Sequence, residues 1–425
     1  METTMRQVFR KIPVYTGDVS GVCSALYELG GMVVMHDPSG CNSTYNTHDE
    51  IRWYDQDSLI FISGLNEMEA IMGSDDDLIR DIVEAAGIYR PKFIAIANSP
   101  IPYVTGMDFE AISRLVEKET GIPTFYITTN GMHDYTCGAG LAFLHLADRF
   151  VKAPAEIPGR ETAEEREIPS ADNKIPAADK GAGSGLRCNI LGMTPLDFAC
   201  RTTISSLHAR LEQNGMEIIS CWAMDDTLAD IEKSASADVN LVLASSGFHA
   251  AHYMYDKYGI PFVCGIPAKG AENIYFDAVR KAVKRGENRF PFRERLFSLK
   301  MPLDEPGAEK PVVCLIGEPV IMTSLAASLQ LQAGAGTHVY GATEDADIFL
   351  GEEDAPLSGE EELETALRKV AEQAAGGVKV IADPYYRDVL PPGCSLIPLP
   401  HLAFSGRIHL KDIPDLIHTD ICKCL

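Results

Sequence analysis

The sequence is poor in basic residues, and this scarcity excludes several classes of partner. Its 425 residues contain 37 lysines and arginines against 61 aspartates and glutamates, which gives a formal net charge of -24. Phosphate backbones and anionic lipids attract cationic surfaces, so we expect neither a nucleic-acid partner nor a membrane partner. The chain also lacks an apolar run long enough for a membrane span or a signal peptide, which predicts a cytoplasmic protein.

Close cysteine pairs of the CxxC kind are missing too, and the eleven cysteines form an odd set scattered along the chain. In a reducing cytosol such a set is not a disulfide framework, and free cysteines are commonly small buried residues. Cys422 and Cys424 near the C-terminal end are expected to face solvent. The cysteines within apolar segments, which we predict to be core residues, are Cys188, Cys221, Cys264 and Cys314.

Short β-branched segments alternate with longer amphipathic segments along the whole chain. That alternation is typical of parallel sheets covered by helices. The sequence therefore predicts an α/β fold with three doubly wound, Rossmann-like parallel-sheet domains around a central cleft. The predicted strands are 31–36, 58–63, 92–98, 124–130, 188–193, 217–223, 240–246, 261–267 and 311–317, followed by the segments THVYGAT, ADIFLG, VKVIADP and SLIPLP.

The domain boundaries follow from a change of composition. Residues 152–185 contain many prolines and charges, no aromatic residue and no hydrophobic period, which is typical of an exposed linker. We expect an N-terminal domain over 1–151, a second domain over 186–305 and a third over 306–425. Because ligands bind at the carboxyl ends of strands in such sheets, functional residues are expected just after the strands.

The turn HDPSGC at 36–41 directly follows the first apolar strand. Gly40 lets the backbone approach a bound group closely, and the turn offers amides that can hydrogen-bond an anionic cluster or a thiolate. Cys41 closes the turn, and Cys23 lies 18 residues upstream at the start of a helical pattern. This spacing is not that of a structural zinc site, so a metal-binding role and ordinary free thiols both stay open. For His36, both a functional role and a capping role stay open.

Three N-terminal segments resemble one family. The turn HDPSGC, the segment SLIFISGLNEMEAIMGSDDDLIRDI at 58–82 and the segment ANSPIPYVTGMDFEAI at 97–112 are similar to the N-terminal domain of nitrogenase component 1 proteins. These are the subunits of the catalytic component and its relatives in chlorophyll and nickel-tetrapyrrole biosynthesis. Further similarity lies in KYGIP at 257–261 and LIPLPHLAFSGRIH at 396–409.

The resemblance implies an iron-sulfur cluster held by cysteines at the interface between two subunits. Cys41 matches the cysteine after the glycine turn, and Cys23 lies near the upstream ligand position. The third family position falls at about Pro100, where no cysteine stands. Two copies of Cys23 and Cys41 in a homodimer would supply four thiolates to one shared 4Fe-4S cluster. The other arrangement is a heterodimer, in which a related component 1 subunit supplies the third cysteine.

The sequence departs from the family pattern at a second place, the position of the molybdenum-cofactor ligands. Family members hold the molybdenum cofactor with a cysteine before the KYGIP-like segment and a histidine before the SG turn of the third domain. Here Ala244, Ser245 or Ser246 stands at the cysteine position, and His401 lies close to the histidine position. Serine is a poor ligand for such a cofactor, so we expect no molybdenum cofactor and no nitrogen fixation.

The remaining candidates are residues that can line the central cleft. A histidine can donate a proton to a reduced substrate, and an arginine beside a glycine turn can pair with a substrate carboxylate. The predicted catalytic residues are His401, His249 and Arg407, and the further candidates are His252, Ser405 and His409.

The function implied by the resemblance is that of a component 1 oxidoreductase. It would accept electrons from a separate ATP-dependent iron-sulfur reductase and reduce a small-molecule or tetrapyrrole-like substrate. The chain has no GxxxxGK[ST] loop, which agrees with ATP being bound by the separate reductase. Segments 42–54 and 65–76 are the predicted docking surface for that reductase. The alternatives are a scaffold or carrier for metallocofactor assembly without turnover, and a binding protein of the periplasmic sensor kind without a cluster.

Overall fold

The computed structural model describes residues 9–40, 50–73, 75–153, 185–199, 201–293, 311–374 and 376–425. Within these residues the chain forms three parallel sheets with helices packed on them. The predicted linker at 152–185 falls almost entirely outside the described residues, and so does Cys41. No helix in the described ranges is long and apolar enough to cross a membrane.

The strands are β1 (Met32–His36), β2 (Leu59–Ile62), β3 (Ile94–Asn98), β4 (Thr124–Ile127), β5 (Leu186–Leu191), β6 (Met216–Cys221), β7 (Val239–Val242), β8 (Phe262–Cys264), β9 (Val312–Gly317), β10 (Gly336–Gly341), β11 (Ala355–Pro356), β12 (Val378–Ala382) and β13 (Cys394–Pro398). The helices are α1 (Asp18–Leu26), α2 (Glu67–Met72), α3 (Asp75–Tyr89), α4 (Pro100–Thr105), α5 (Phe109–Thr120), α6 (Tyr135–Arg149), α7 (Pro195–Phe198), α8 (Arg201–Gln213), α9 (Leu228–Ile231), α10 (Phe248–Tyr258), α11 (Glu272–Arg285), α12 (Pro319–Ala333), α13 (Glu360–Gln373) and α14 (Leu402–Ser405).

The three sheets follow one plan. Their strand orders are β2-β1-β3-β4, β6-β5-β7-β8 and β11-β10-β9-β12-β13, and neighbouring strands pair in parallel. The strand order reverses between β1 and β3, between β5 and β7, and between β9 and β12. Such a switch point opens a crevice at the carboxyl ends of the strands. The prediction of doubly wound, Rossmann-like α/β units is therefore confirmed.

One predicted strand is wrong. The segment ADIFLG begins with a short 3-10 helix over Ala346–Ile348. Asp345 directly before it has a φ of 56°, in the left-handed region, and this conformation cannot continue an extended strand. The edge strand β11 forms later and pairs with Tyr340 and Gly341 of β10.

Hydrophobic cores cross the borders between the three sheets. One buried cluster extends from Val263 in the second sheet to Leu315 in the third. Another joins Val33 of the first sheet to Val242 of the second. The units therefore share apolar cores, whose burial stabilises their relative placement. The cysteines that were predicted as core residues, and that are buried, are Cys188, Cys221, Cys264 and Cys314.

Helices α1 and α6 of the first unit cross at unusually close range. A β-carbon added to Gly21 would lie 2.0 Å from the carbonyl oxygen of Tyr135. One added to Gly138 would lie 1.8 Å from the carbonyl oxygen of Asp18. Only glycine permits this approach of two backbones, because any side chain would overlap the facing chain. The crossing fixes the start of α6, where two polar clusters meet.

Candidate functional site

The loops after the strands of the second and third sheets converge on one group of polar side chains. Asp197 lies in α7, a few residues after β5. Glu318 directly follows β9, and His401 follows β13. Tyr135 of the first unit reaches the same place from the first turn of α6. These four residues and Thr194 are called the buried cluster below.

Asp197 is the centre of the buried cluster. Its Oδ1 atom accepts a hydrogen bond from the hydroxyl of Tyr135 at 2.5 Å and lies 3.2 Å from Nε2 of His401. Its Oδ2 atom accepts a hydrogen bond from the hydroxyl of Thr194 at 3.1 Å. The carboxylate has no exposed surface, so its charge depends on these donors. The contacts therefore tie together residues of all three units.

His401 is held from two sides. Its backbone N–H donates to Oδ2 of Asp383, which caps the segment after β12, at 2.9 Å. The rings of Tyr15 and Tyr135 meet the imidazole edge-on, with centroids 5.4 and 6.0 Å away. The Nδ1 atom is buried and has no hydrogen-bond partner among the described residues. The ring is thus fixed in orientation while one nitrogen stays available.

The two tyrosines are held in the neutral form. Burial raises the pKa of Tyr135 well above the ordinary value, and the nearby charge of Asp197 raises it further. Burial also raises the pKa of Tyr15, with Tyr386 and Asp383 adding to the effect. A neutral phenol keeps its proton, so Tyr135 remains a hydrogen-bond donor to Asp197 across the physiological pH range.

Glu318 places a second carboxyl group in the buried cluster. It caps α12, where Oε2 accepts a hydrogen bond from the backbone N–H of Ile321 and Oε1 accepts one from that of Ser245, both at 2.8 Å. Pro319 at the first helical position and the twelve buried residues of α12 fix that helix end. Burial raises the pKa of Glu318, and the charge of Asp197 raises it further. Burial together with the nearby charge of Asp197 therefore favours the protonated form of Glu318.

A cavity of about 160 Å³ adjoins the buried cluster. Its lining includes Pro195 and Leu196, next to Asp197, and Leu402 and Ala403, next to His401. The first unit contributes Thr16, whose N–H donates to the carbonyl oxygen of Ala403 at 2.8 Å. The predicted cleft among three units therefore exists, although its volume lies below the roughly 300–1,000 Å³ of most drug-sized ligand sites.

The carboxyl end of the first sheet carries a separate polar group. Nδ1 of His36 lies 2.8 Å from the hydroxyl oxygen of Ser63. Burial lowers the pKa of His36 to about 4, so the imidazole is neutral at pH 7. Asp37 has no exposed surface, and its carboxylate oxygens have no partners among the described residues. Gly40 follows, and no atom of the described residues lies within 4 Å of a β-carbon added to it; Cys41 lies outside the described residues.

Cys23 lies in α1 and has no exposed surface. It belongs to the hydrophobic cluster shared by the first two sheets. Burial raises the pKa of its thiol, and the charge of Glu50 raises it further. The thiol form is thereby favoured over the thiolate that iron-sulfur ligation requires. The ligand role of Cys23 stays a prediction.

The other predicted catalytic residues are not part of the buried cluster. Nε2 of His249 lies 3.6 Å from Asp345, with about half of the His249 side chain exposed, at 51%. Arg407 is exposed in the 3-10 segment that follows α14. His252 pairs with Asp256 on the surface of α10, and His409 lies near Asp412. Of the predicted catalytic set, His401 alone contacts Asp197 among the described residues.

The sequence interpretation missed most of the buried cluster. Asp197 and Glu318, and Asp383 which holds His401, were not singled out, although each follows an observed strand within a few residues. A search for carboxylates directly after strands at the switch points would have found them. Tyr15 and Tyr135 carry no such signal, because their contacts join segments far apart in the chain.

An apolar patch lies on the surface of the first unit, where α2 contacts α4. Large apolar side chains there are well exposed, reaching 74% for Met72 and 77% for Val104. Exposed apolar groups of this kind mark interaction surfaces in many proteins. The residues of this patch are Met68, Ile71, Met72, Ile101, Tyr103 and Val104.

Known proteins share this architecture. The chain resembles the solved structure "Nitrogenase Cp1 at pH 6.5" with a TM-score of 0.53 and 16% sequence identity, over 81% of this chain and 64% of that one. At this identity the likeness supports the fold.

Curated relatives match parts of the chain. "Nitrogenase iron-molybdenum cofactor biosynthesis protein NifE" of Methanosarcina barkeri is 24% identical over 48% of this chain and 40% of its own length. One light-independent protochlorophyllide reductase subunit, from Prochlorococcus marinus (strain MIT 9303), is 28% identical over 41% of this chain and 31% of its own length. "Nitrogenase molybdenum-iron protein alpha chain" of Bradyrhizobium sp. (strain ANU 289) is 24% identical over 73% of this chain and 58% of its own length. The chain thus spans less than half the length of the first two relatives.

The sequence profile of the nitrogenase component 1 type oxidoreductases matches residues 21–276, which include the first two sheets. That match covers more than half of the 425 residues. Together with the three-sheet architecture, it shows that the chain belongs to the nitrogenase component 1 type oxidoreductase family.

Proposed function

We propose that this protein is a nitrogenase-like oxidoreductase that reduces a small molecule beside the buried cluster, with electrons delivered by a separate ATP-dependent iron-sulfur reductase. The observation that carries the proposal is the contact of His401 with Asp197, whose neighbours in the chain, Leu402 and Leu196, line a cavity among the three units. Membership of an oxidoreductase family supports a redox reaction. The side chains of the buried cluster supply groups that can hold protons.

Reduction of a neutral substrate consumes a proton for each electron, so a site of this kind needs a proton donor beside the substrate. In its protonated, positively charged form His401 can donate a proton to the substrate and become neutral imidazole, while Asp197 orients the ring and stabilises the positive charge before donation and after reprotonation from solvent. Tyr135 fixes the orientation of Asp197 through the 2.5 Å hydrogen bond. Glu318, whose pKa burial raises, is a second group that can store a proton next to Asp197.

The cavity favours a compact substrate. At about 160 Å³ it is smaller than most drug-sized ligand sites, and it is much too small to enclose a tetrapyrrole. Its walls combine apolar side chains, such as Leu196 and Leu402, with polar ones, such as Ser20 and Glu50. Between the two substrate classes that the resemblance implies, a small molecule therefore agrees better with the described residues.

The family resemblance assigns Cys23 and Cys41 to a 4Fe-4S cluster, which would pass single electrons when bound. The described residues do not by themselves fit such a group, because Cys23 is enclosed by apolar side chains and Cys41 lies outside them. We derive no step through it. The assignment of the two cysteines rests on the resemblance and is open to direct test.

The apolar patch on α2 and α4 supports the predicted contact with the reductase. It coincides with part of the predicted docking segment at 65–76 and lies on the first unit, which also carries the Gly40 turn. Most of the other docking segment, 42–54, lies outside the described residues. We place the reductase on this patch, and we place the second subunit, a copy of this chain or a related one, at the Gly40 face of the same unit.

The experiment uses anaerobically purified full-length protein, a purified ATP-dependent iron-sulfur reductase, ATP and a panel of small reducible molecules. We expect ATP-dependent substrate loss that falls at least about 100-fold in His401→Ala, since a positioned proton donor commonly contributes 10²–10⁴-fold. Tyr253→Phe, which removes a surface hydrogen bond, is the matched control and should keep wild-type turnover. Unchanged turnover in His401→Ala would refute the role of the buried cluster.

The iron content of single variants tests Cys23 and Cys41 separately as cluster ligands. Cys41→Ser and Cys23→Ser are each expected to lower iron from about four per dimer and to remove the paramagnetic signal of the reduced protein. Cys424→Ser, at an exposed thiol, is the control and should leave both unchanged. Full iron content in Cys23→Ser would exclude Cys23 as a ligand.

A second candidate function is favoured by the relative from Methanosarcina barkeri. That protein is named for cofactor biosynthesis, and the match covers 48% of this chain. In that case the present chain would carry a metallocofactor precursor without substrate turnover. Metal transfer to an acceptor protein, with no substrate loss in the presence of reductase and ATP, would identify the carrier.

A further inference from the structure

A second group of chemically active side chains includes residues just before and within the first turn of α6. It consists of His133, Cys137 and Glu344 and is called the open cluster below. The possible ligand atoms of these three residues all lie within 4.8 Å of one another. Nδ1 of His133 and a carboxylate oxygen of Glu344 are 2.9 Å apart. The open cluster therefore brings a nitrogen, a sulfur and an oxygen ligand to one point.

The backbone holds these residues in place from two units. The carbonyl oxygen of His133 accepts a hydrogen bond from the N–H of Asp18 at 3.0 Å. The N–H of Glu344, in the loop after β10, donates to Oδ2 of Asp134 at 2.7 Å. Cys137 lies in the first turn of α6, which Asp134 caps. The positive end of the helix dipole stabilises a thiolate at such a position.

The surroundings carry an excess of negative charge. Asp18 is buried and Asp134 is largely enclosed, while Asp345 lies beside Glu344. Burial, together with the charges of Glu344 and the neighbouring aspartates, raises the pKa of Cys137 to about 12. His133 contacts Glu344, and the exposed His249 contacts Asp345. A bound cation would offset the charge and displace the thiol proton.

We propose that the open cluster binds one transition-metal cation of the zinc, iron(II) or cobalt(II) class. A mixed set of imidazole, thiolate and carboxylate suits such borderline metals, whereas calcium and magnesium prefer oxygen ligands alone. Ligand atoms at about 2.0–2.3 Å from a tetrahedral metal lie about 3.3–3.8 Å apart, and the possible ligand atoms here lie within 4.8 Å of one another, so small side-chain rotations would bring them to these distances. The half-exposed His133 can adjust by rotating its side chain.

The site has two structural consequences. Three protein ligands leave a fourth position open for water or another small ligand, as in catalytic rather than structural zinc sites. The ligands come from the first and third units, so a bound metal would also join these units. This proposal is independent of the function proposed above, because it uses neither Cys23 nor Cys41 nor the buried cluster.

Cobalt(II) titration of the full-length protein tests the proposal. The background is the double variant C422S/C424S, which removes the two C-terminal thiols that compete for metal. We expect one equivalent of cobalt(II) to bind with the charge-transfer absorption of a cobalt-thiolate bond. Cys137→Ser should abolish that band and weaken binding at least about 100-fold, more than loss of an outer-shell partner usually costs. Cys394→Ser, at a thiol in the third unit, should bind cobalt(II) like the background.

Two further variants identify the other ligands. His133→Ala and Glu344→Gln should each weaken cobalt(II) binding by at least tenfold while the thiolate band persists at saturating metal. Stoichiometric cobalt(II) should also raise the thermal unfolding midpoint of the background protein but not that of Cys137→Ser. Absence of binding, or a thiolate band that survives in Cys137→Ser, would overturn the proposal.

Discussion

The buried cluster and the open cluster both include residues at the start of α6, yet they differ in burial and in charge. In the buried cluster, the Asp197 carboxylate has no exposed surface and is neutralised by donors from three units. In the open cluster, His133 is 45% exposed, and its partner Glu344 is one of several carboxylates whose charges raise the pKa of the Cys137 thiol. The first arrangement suits the holding of protons away from water, and the second suits the capture of a cation. Burial decides between these chemistries, since both clusters contain a histidine beside a carboxylate.

Asp197→Ala is expected to change the free energy of unfolding the most, so it is the strongest test of the difference between the two clusters. Removing the carboxylate leaves the hydroxyls of Tyr135 and Thr194 and the Nε2 atom of His401 without their acceptor. We expect the free energy of unfolding to fall by about 3 kcal/mol, because each unsatisfied buried donor costs about 1–3 kcal/mol. The measurement is urea denaturation followed by the fluorescence of the buried Trp222.

His133→Ala is the matched change in the open cluster. Without added metal, it should alter the free energy of unfolding by less than about 0.5 kcal/mol, since the side chain is half-exposed. Equal losses in Asp197→Ala and His133→Ala would show that burial does not distinguish the two clusters.

An intermediate effect concerns the pH dependence of stability. Burial raises the pKa of Glu318 in the folded protein, whereas an unfolded glutamate titrates near about 4.3. Between these two values the folded state binds more protons than the unfolded state, so this residue makes stability fall as pH rises. The expected contribution is on the order of 2 kcal/mol, because one pKa unit corresponds to about 1.4 kcal/mol.

Glu318→Gln should remove that contribution. The unfolding midpoint of the variant, measured from pH 5 to pH 8, should decline less steeply than that of the wild type. The slope is the relevant quantity, because the amide also disturbs one of the two backbone hydrogen bonds at every pH. Parallel slopes for the wild type and Glu318→Gln would show that the carboxyl group is not protonated in the folded state.

The smallest expected effect on stability comes from comparing two tyrosine hydrogen bonds of equal length, one buried and one on the surface. The hydroxyl of Tyr135 donates to Asp197 at 2.5 Å inside the buried cluster, and that of Tyr253 donates to Asp148 at 2.5 Å on the surface. Tyr135→Phe should lower the free energy of unfolding by about 1.5 kcal/mol, while Tyr253→Phe should change it by less than about 0.5 kcal/mol. Similar values in urea denaturation would mean that environment does not set the strength of these bonds.

Much of the fold was predictable because it depends on local sequence. Alternating apolar strands and amphipathic helices predict parallel α/β units, and the observed sheets confirm this plan. The failed strand at ADIFLG shows the limit, since its composition favours a strand while the left-handed Asp345 turns the chain away. The domain boundaries stay predictions, because the intended linker lies outside the described residues.

The candidate site was predictable only in part. His401 was found through the family resemblance, which places a histidine before the SG turn of the third domain, but its partner Asp197 lies 204 residues away. The open cluster likewise joins residues 211 positions apart, as the pair His133 and Glu344 shows. No periodicity or motif reports such pairings, because they form only when loops of different units meet.

The sequence by itself determined the family, the repeated α/β plan and the acidic character of the protein, since these depend on composition, local period and short motifs. The tertiary structure alone decided which side chains act together. It enclosed Asp197 and Glu318, left His133 open to solvent and placed Cys23 in an apolar core. The physical reason is that burial sets the charge and proton affinity of each group, and burial is a property of the packed units.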